Sequence, residues 1–263
     1  MHYLVSIQKE KPSTTREWFD YHKQLGFDKI VVFNNSTTPY GITDPLYQEI
    51  DCSKFDNPQP KCYQYFYDQC MQNGDTVTIL DADEFLTSDL SISEIWDKFD
   101  YASCIRLSWR IYGDCDNIED DGRPVLERFT TPAPVDCIYN DCLPKGITEC
   151  WHTKYSLKKK GPAQLLIHHA ISQGDTVNTK GKLIAPMIPW IEPCYDVAYV
   201  KHFITKSTHE FCERRLNGTD ACGNKHDYET LKRFYFNLNK RTKEKELVFE
   251  SFLQPSQISK NLG

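Results

Sequence analysis

No apolar run in this 263-residue chain approaches the roughly 18 residues of a bilayer-spanning helix, so none is expected. No signal peptide is expected either: Met1 to Ile7 enters a strand-like segment without a basic region or a long apolar stretch. The expected compartment is the cytoplasm, and peripheral contact at the inner membrane surface is the membrane role left open. Basic excess is absent, with 31 Lys and Arg against 37 Asp and Glu and a net charge of −6. That balance excludes the broad electrostatic footprint of a nucleic-acid-binding protein, although a local cluster or a metal can still hold an anion. Glycine numbers only 12, and none falls between positions 6 and 14, where a nucleotidyltransferase would carry a glycine-rich phosphate loop. Cysteine is plentiful at 11, but an odd, scattered set in a chain large enough for its own core points to reduced thiols. One bunch, Cys137, Cys142, Cys150 and His152, has ligand chemistry, at spacings that match no common paired-ligand zinc pattern. Internal repeats and linkers are lacking, so a single domain is expected over 1–263.

What is present suits a sizeable core: 40% hydrophobic and 13% aromatic residues. Strand and helix signals alternate over the first hundred residues. His2 to Ile7 reads as a strand, and Thr14 with Glu17 as a capping box for a helix carrying Trp18, Tyr21 or His22, and Leu25 on one face, ended by Gly26. Lys29 to Phe33 is a buried-strand run, Tyr63 to Met71 an aromatic-rich helix, and Asp75 to Leu80 a β-branched strand. Ser91 and Glu94 form a second capping box before a helix over Ile92 to Phe99, and Ala102 to Trp109 reads as a strand. This alternation predicts an α/β fold, a mostly parallel sheet with helices on its faces. Such sheets bind ligands at the carboxyl ends of their strands, where the loops at Asn34 and Asp81 fall. From 110 to 200 no helix is periodic; beyond it, Ser207 to Leu216 and Tyr228 to Phe252 read as helical.

The segment after the Asp75 strand carries chemistry. Asp81, Asp83 and Glu84 are three carboxylates within four residues, and their mutual repulsion calls for a compensating cation. A hard divalent ion such as Mg²⁺ or Mn²⁺ prefers those oxygens and can bind a diphosphate at the same time. Read alone, the motif is also an ordinary acidic turn before a helix.

Thr78-Ile-Leu-Asp-Ala-Asp-Glu-Phe-Leu86 resembles the D-x-D-E-F segment of glycosyltransferases related to families 2 and 92. Three further segments agree in order. Glu17-Trp-Phe-Asp-Tyr-His-Lys-Gln-Leu-Gly26 is similar to the family's E-W helix, and Val31-Val-Phe-Asn-Asn-Ser-Thr37 to its Y-D-N-x-S-T loop. His202-Phe-Ile-Thr-Lys-Ser207, with Glu210-Phe211 and Arg214 to Gly218, resembles its H-Y-x-x-K-S close. Two positions depart: Asn34 stands for the usual acidic residue, and Gln8-Lys9-Glu10 for the usual K-N-E.

The resemblance implies a GT-A fold: a nucleotide-sugar-binding half over 1–110, an irregular acceptor-side half over 111–220 and a helical C-terminal extension over 221–263. It implies a metal-dependent hexosyltransferase that takes a UDP-sugar or similar donor to a saccharide or glycolipid acceptor with inversion. The implied metal, Mn²⁺ or Mg²⁺, would be held by Asp81, Asp83 and His202. Glu10 and Asn35 would meet the base or ribose, and Asp81 and Lys206 the donor. An inverting displacement needs a carboxylate to take the acceptor's proton. The candidates are Asp114, Asp116, Glu119 and Glu127, with Asp114 and Glu127 singled out. Lys158 to Lys160 read as a solvated face, and His168-His169 as core or acceptor-site histidines. Two rivals from other classes are a metal-dependent nucleotidyltransferase and a non-catalytic zinc-stabilised binding module.

Overall fold

A computed structural model of the protein describes residues 1–133, 152–188, 191–216 and 227–253. The chain divides into two compact units, residues 1–110 with 151–202, and residues 111–150 with 203–263. Cys137, Cys142 and Cys150 lie outside the described residues. Cys52, Cys62, Cys70, Cys104, Cys115, Cys194 and Cys212 are free thiols.

In the first unit β1 (His2–Gln8) is followed by α1 (Pro12–Lys23), β2 (Lys29–Asn34), β3 (Tyr47–Asp51), α2 (Pro58–Tyr65) and β4 (Thr76–Ile79). The short β5 (Glu84–Thr87) leads to α3 (Ile92–Lys98) and β6 (Cys104–Ile111), whose last residue enters the second unit. After α4 (Val125–Arg128) in the second unit come β7 (Thr153–Lys158), β8 (Ala163–Leu165), β9 (Ala170–Ser172), β10 (Thr176–Asn178) and β11 (Tyr199–His202) in the first. The large sheet runs β3-β2-β1-β4-β7-β6-β11-β5, with β10 on β6. Strands β3, β2, β1 and β4 are all parallel, as are β10 and β6, whereas β7 runs antiparallel to both β4 and β6. This is a mixed α/β, Rossmann-like architecture with a mostly parallel central sheet flanked by helices.

The parallel strands bury near-continuous apolar runs, Leu4-Val5, Ile30 to Phe33, and Val77 with Ile79, as strands covered on both faces require. Tyr63, Phe66, Tyr67 and Met71 pack on Val5, Val31, Phe33 and Ile79. Because β1, β2 and β4 share a direction, their carboxyl ends at Gln8, Asn34 and Ile79 open on one edge of the sheet. The second unit packs α5 (Thr208–Leu216), α6 (Tyr228–Leu238) and α7 (Lys243–Ser251) around Phe211, Cys212, Leu231, Tyr235 and Phe249. Among the described residues no helix is long and apolar enough to cross a membrane.

Several local expectations change. The Thr14–Glu17 capping box does not form; α1 starts at Pro12 with Lys11 as N-cap. Proline suits that first position because it has no N–H to leave unpaired. The aromatic helix starts earlier, at Pro58, and ends in a π-helical turn over Phe66–Cys70. Tyr228 to Phe252 is two helices, broken where Thr242 caps α7. The Ser91–Glu94 capping box is present as expected.

Candidate functional site at the carboxyl edge of the sheet

Strand β4 delivers the acidic loop to that edge, and its three carboxylates point to different partners. Asp81 Oδ1 accepts from Gln59 Nε2 at 2.7 Å and from the Tyr63 hydroxyl at 3.5 Å. Its Oδ2 lies 2.7 Å from the Nζ of Lys154, a wholly buried lysine of β7. Glu84 is turned inward: Oε2 accepts the Asp81 amide at 2.7 Å and stands 3.5 Å from the same ammonium. Burial pushes the Glu84 carboxyl well above the usual carboxylate range, against the pull of Lys154. Burial alone would lower the Lys154 ammonium, but Asp81 and Glu84 outweigh it and leave it raised. The chain therefore supplies from within one of the cations that the acidic loop calls for.

Asp83 faces elsewhere. Strands β5 and β11 pair antiparallel with His202 opposite Glu84, which brings His202 Nε2 to 3.5 Å from Asp83 Oδ1. Both side chains are less than a tenth exposed. The His202 ring meets the edge of Trp109 at 4.1 Å, and its Nδ1 is buried with no hydrogen-bond partner among the described residues. Two ligands at about 2.1 Å from one octahedral ion sit about 3 Å apart, so this nitrogen and oxygen are spaced to share an ion with little movement. Among the described residues no three His, Cys, Asp or Glu side chains form a metal cluster. A divalent ion here would need its remaining ligands from outside these side chains. His152 and His168 also ring Trp109, at 5.4 and 5.1 Å. Burial pushes them down to about 4 and about 2, so both are neutral imidazoles at neutral pH.

Helix α1 explains why a Trp and a His accompany the acidic motif. Trp18 Nε1 donates to the Glu84 carbonyl at 2.8 Å. His22 Nδ1 donates to the Trp18 carbonyl at 2.8 Å, and its Nε2 accepts the Leu86 amide at 3.1 Å. The contacts to Glu84 and Leu86 fall on the backbone of β5, which follows Asp83, and fix the strand next to the acidic loop.

Glu10 and Asn35 lie just past the ends of β1 and β2, and the Asn35 amide donates to the Gln8 carbonyl at 2.8 Å. Asn34, standing for an acidic residue, donates Nδ2 to Glu49 at 2.8 Å and accepts from Ser36 through Oδ1. An aspartate there would face the Glu49 carboxylate, so the amide is the group that fits this neighbour.

The second unit holds the other expected residues. Asp114 is buried; its carboxylate accepts from the Tyr235 hydroxyl at 2.5 Å and pairs with the buried Lys245 at 2.7 Å. Asp116, exposed, pairs with the same lysine at 2.9 Å, while Glu119 and Glu127 are exposed. Lys206 is buried with φ +50°, a left-handed conformation that costs a non-glycine residue strain. In the first unit Lys158, Lys159 and Lys160 cap the carbonyls of Asp100, Tyr67 and Tyr101. Lys154 was not singled out from the sequence. Its signal is a lone lysine in a strand, Thr153 to Leu157, whose every residue is buried.

No family model matches this chain, and no curated protein does. Among solved structures it is similar to a Bacillus anthracis protein named as a glucose-1-phosphate thymidylyltransferase, solved in complex with a sucrose. The identity is 11%, over 60% of this chain and 72% of that one, with a TM-score of 0.32. A likeness at that level carries no function across.

Proposed function

We propose that this chain is a metal-dependent glycosyltransferase of GT-A type, moving a hexose from a UDP-sugar to a hydroxyl of a saccharide or glycolipid with inversion. The observation that carries this reading is the meeting of Asp83 and His202 beside the acidic loop, at the carboxyl edge of a Rossmann-like sheet. Asp83 and His202 would hold the ion, and the imidazole favours Mn²⁺ over Mg²⁺. When bound, the ion neutralises charge on the leaving nucleoside diphosphate. Glu10 and Asn35 would contact base or ribose, and Asp81 would orient the loop against the donor. The strained backbone at Lys206 fits a lysine held for the diphosphate, since such strain is concentrated at functional sites.

In the transfer the acceptor oxygen attacks the anomeric carbon opposite the diphosphate oxygen. The carbon–oxygen bond to the diphosphate breaks, and the acceptor's proton passes to a carboxylate. Asp114 already has its carboxylate engaged by Tyr235 and Lys245, so Glu127, exposed on α4, is the better base of the two. In this reading residues 1–110 are the donor half, 111–220 the acceptor half and 221–263 a helical extension, with membrane contact limited to a peripheral one.

Hydrolysis of UDP-, GDP- and CMP-sugars with and without Mn²⁺ tests the proposal. Mn²⁺-dependent release of UDP supports it. Pyrophosphate released from a nucleoside triphosphate and a sugar phosphate would identify a nucleotidyltransferase instead, and stoichiometric, tightly held zinc a binding module.

A further inference from the structure

The acidic loop resembles one whose charge is met by a divalent ion, yet in this chain a lysine already meets part of it. Lys154 reaches Asp81 at 2.7 Å and Glu84 at 3.5 Å, and also donates to the Ile167 carbonyl at 3.2 Å. Among the described residues no other cation pairs with either carboxylate. Asp81 is further held by Gln59 and Tyr63 of α2, so its two oxygens face the protein from two sides. Asp83 lies 3.5 Å from His202, and its charge also acts on Lys154 and Glu84.

We propose that Lys154 is a built-in counter-cation of the acidic loop, a positioning residue that commits Asp81 and Glu84 to the metal-free fold and leaves Asp83 as the carboxylate presented to the metal. The role in the metal-free fold stands on the ion pairs alone; the metal half rests on the glycosyltransferase reading above.

The test uses the full chain, with Lys154→Met, Asp81→Asn, the double variant and Asp83→Asn, followed by melting in metal-free buffer and in a Mn²⁺ titration. Removing one partner of a buried pair leaves an uncompensated charge, whereas removing both does not. Lys154→Met is therefore expected to melt well below wild type without metal, and the double variant to recover the part of the loss that belongs to Asp81, Glu84 remaining without its ammonium. With Mn²⁺, Asp83→Asn should weaken the titration midpoint by about tenfold or more while Asp81→Asn leaves it close to wild type. Lys154→Met should show a larger Mn²⁺-induced rise in melting temperature than wild type, because its carboxylates are released to the ion. A lysine that merely fills space would leave that rise unchanged.

If Lys154→Met does not fold, a double variant or a Lys154→Met/Asp81→Asn/Glu84→Gln triple variant that folds supports the counter-cation, and a triple variant that also fails overturns it. A folded double variant no more stable than Lys154→Met overturns it too. Equal weakening by Asp81→Asn and Asp83→Asn overturns the division of the loop. Absence of any Mn²⁺ response in wild type overturns the metal half and the glycosyltransferase reading, while the metal-free comparison still decides the role of Lys154.

Discussion

His202 presents Nε2 3.5 Å from Oδ1 of Asp83, although the two are more than a hundred residues apart in sequence. The antiparallel pairing of β11 with β5 makes this contact, by setting His202 directly across from Glu84. An imidazole and a carboxylate at that separation, both buried, can close on one ion without rebuilding either strand.

The first prediction concerns that imidazole. His202→Gln keeps most of the packing volume against Trp109 and loses the ring nitrogen. The Mn²⁺ concentration for half-maximal activity should rise by about tenfold or more, with metal-free melting changed little. A variant that keeps wild-type Mn²⁺ dependence but melts several degrees lower would assign His202 a packing role.

A second prediction follows from His22. Burial pushes this imidazole down from 6.5 to about 3. Its Nδ1–H is bonded to a carbonyl and its Nε2 accepts an amide, so a second proton would face an N–H. Below pH 6.5 the unfolded chain binds a proton here that the folded chain refuses. The stability that His22 contributes is thus complete above that pH and is lost as pH falls towards 3. The slope is up to about 1.4 kcal/mol per pH unit. Urea melts across this window test it. A His22→Asn variant should be less stable at neutral pH and show a flatter pH dependence; an unchanged slope would contradict the assignment.

Asp114 and Glu127 can be separated by comparing stability with turnover. Asp114→Asn leaves the buried Lys245, among the described residues, with the exposed Asp116 as its one counter-charge, and a stability loss of roughly 3 kcal/mol is expected. Glu127→Gln on the surface should leave stability within about 0.5 kcal/mol of wild type and lower kcat by about 100-fold or more. Full activity in Glu127→Gln would remove it as the base.

The thiols give a further check. Cys70 is exposed, whereas burial pushes Cys104 and Cys212 up to about 12. Iodoacetamide on the native protein should label Cys70 well before those two. Rapid labelling of Cys104 would contradict the packing of β6.

The parallel core was legible because its strands are runs such as Ile30 to Phe33, unbroken by polar residues and separated by helical signals. The acidic loop was legible because a β-branched strand, Thr76 to Ile79, runs into Asp81 and Asp83. Strand β7 was not. It is buried from Thr153 to Leu157 yet carries Thr153, Lys154 and Ser156, whose partners come from distant segments: Arg106 to Thr153, Asp81 to Lys154, Thr78 and Trp96 to Ser156. Polar residues satisfied only in three dimensions leave no hydrophobic period to read. The role of Asp114 was hidden likewise, because Tyr235 and Lys245 lie more than a hundred residues away.

The most direct test of the proposed metal-dependent donor site is calorimetry of UDP with Mn²⁺ present and absent. On the proposed reading, the diphosphate would without the ion meet Asp83 in a loop where Lys154 balances only part of the negative charge. UDP should bind at least about tenfold more tightly with Mn²⁺, an advantage of about 1.4 kcal/mol or more. That difference should disappear in Asp83→Asn. Equal affinity for UDP in both buffers with the wild-type protein would contradict the account.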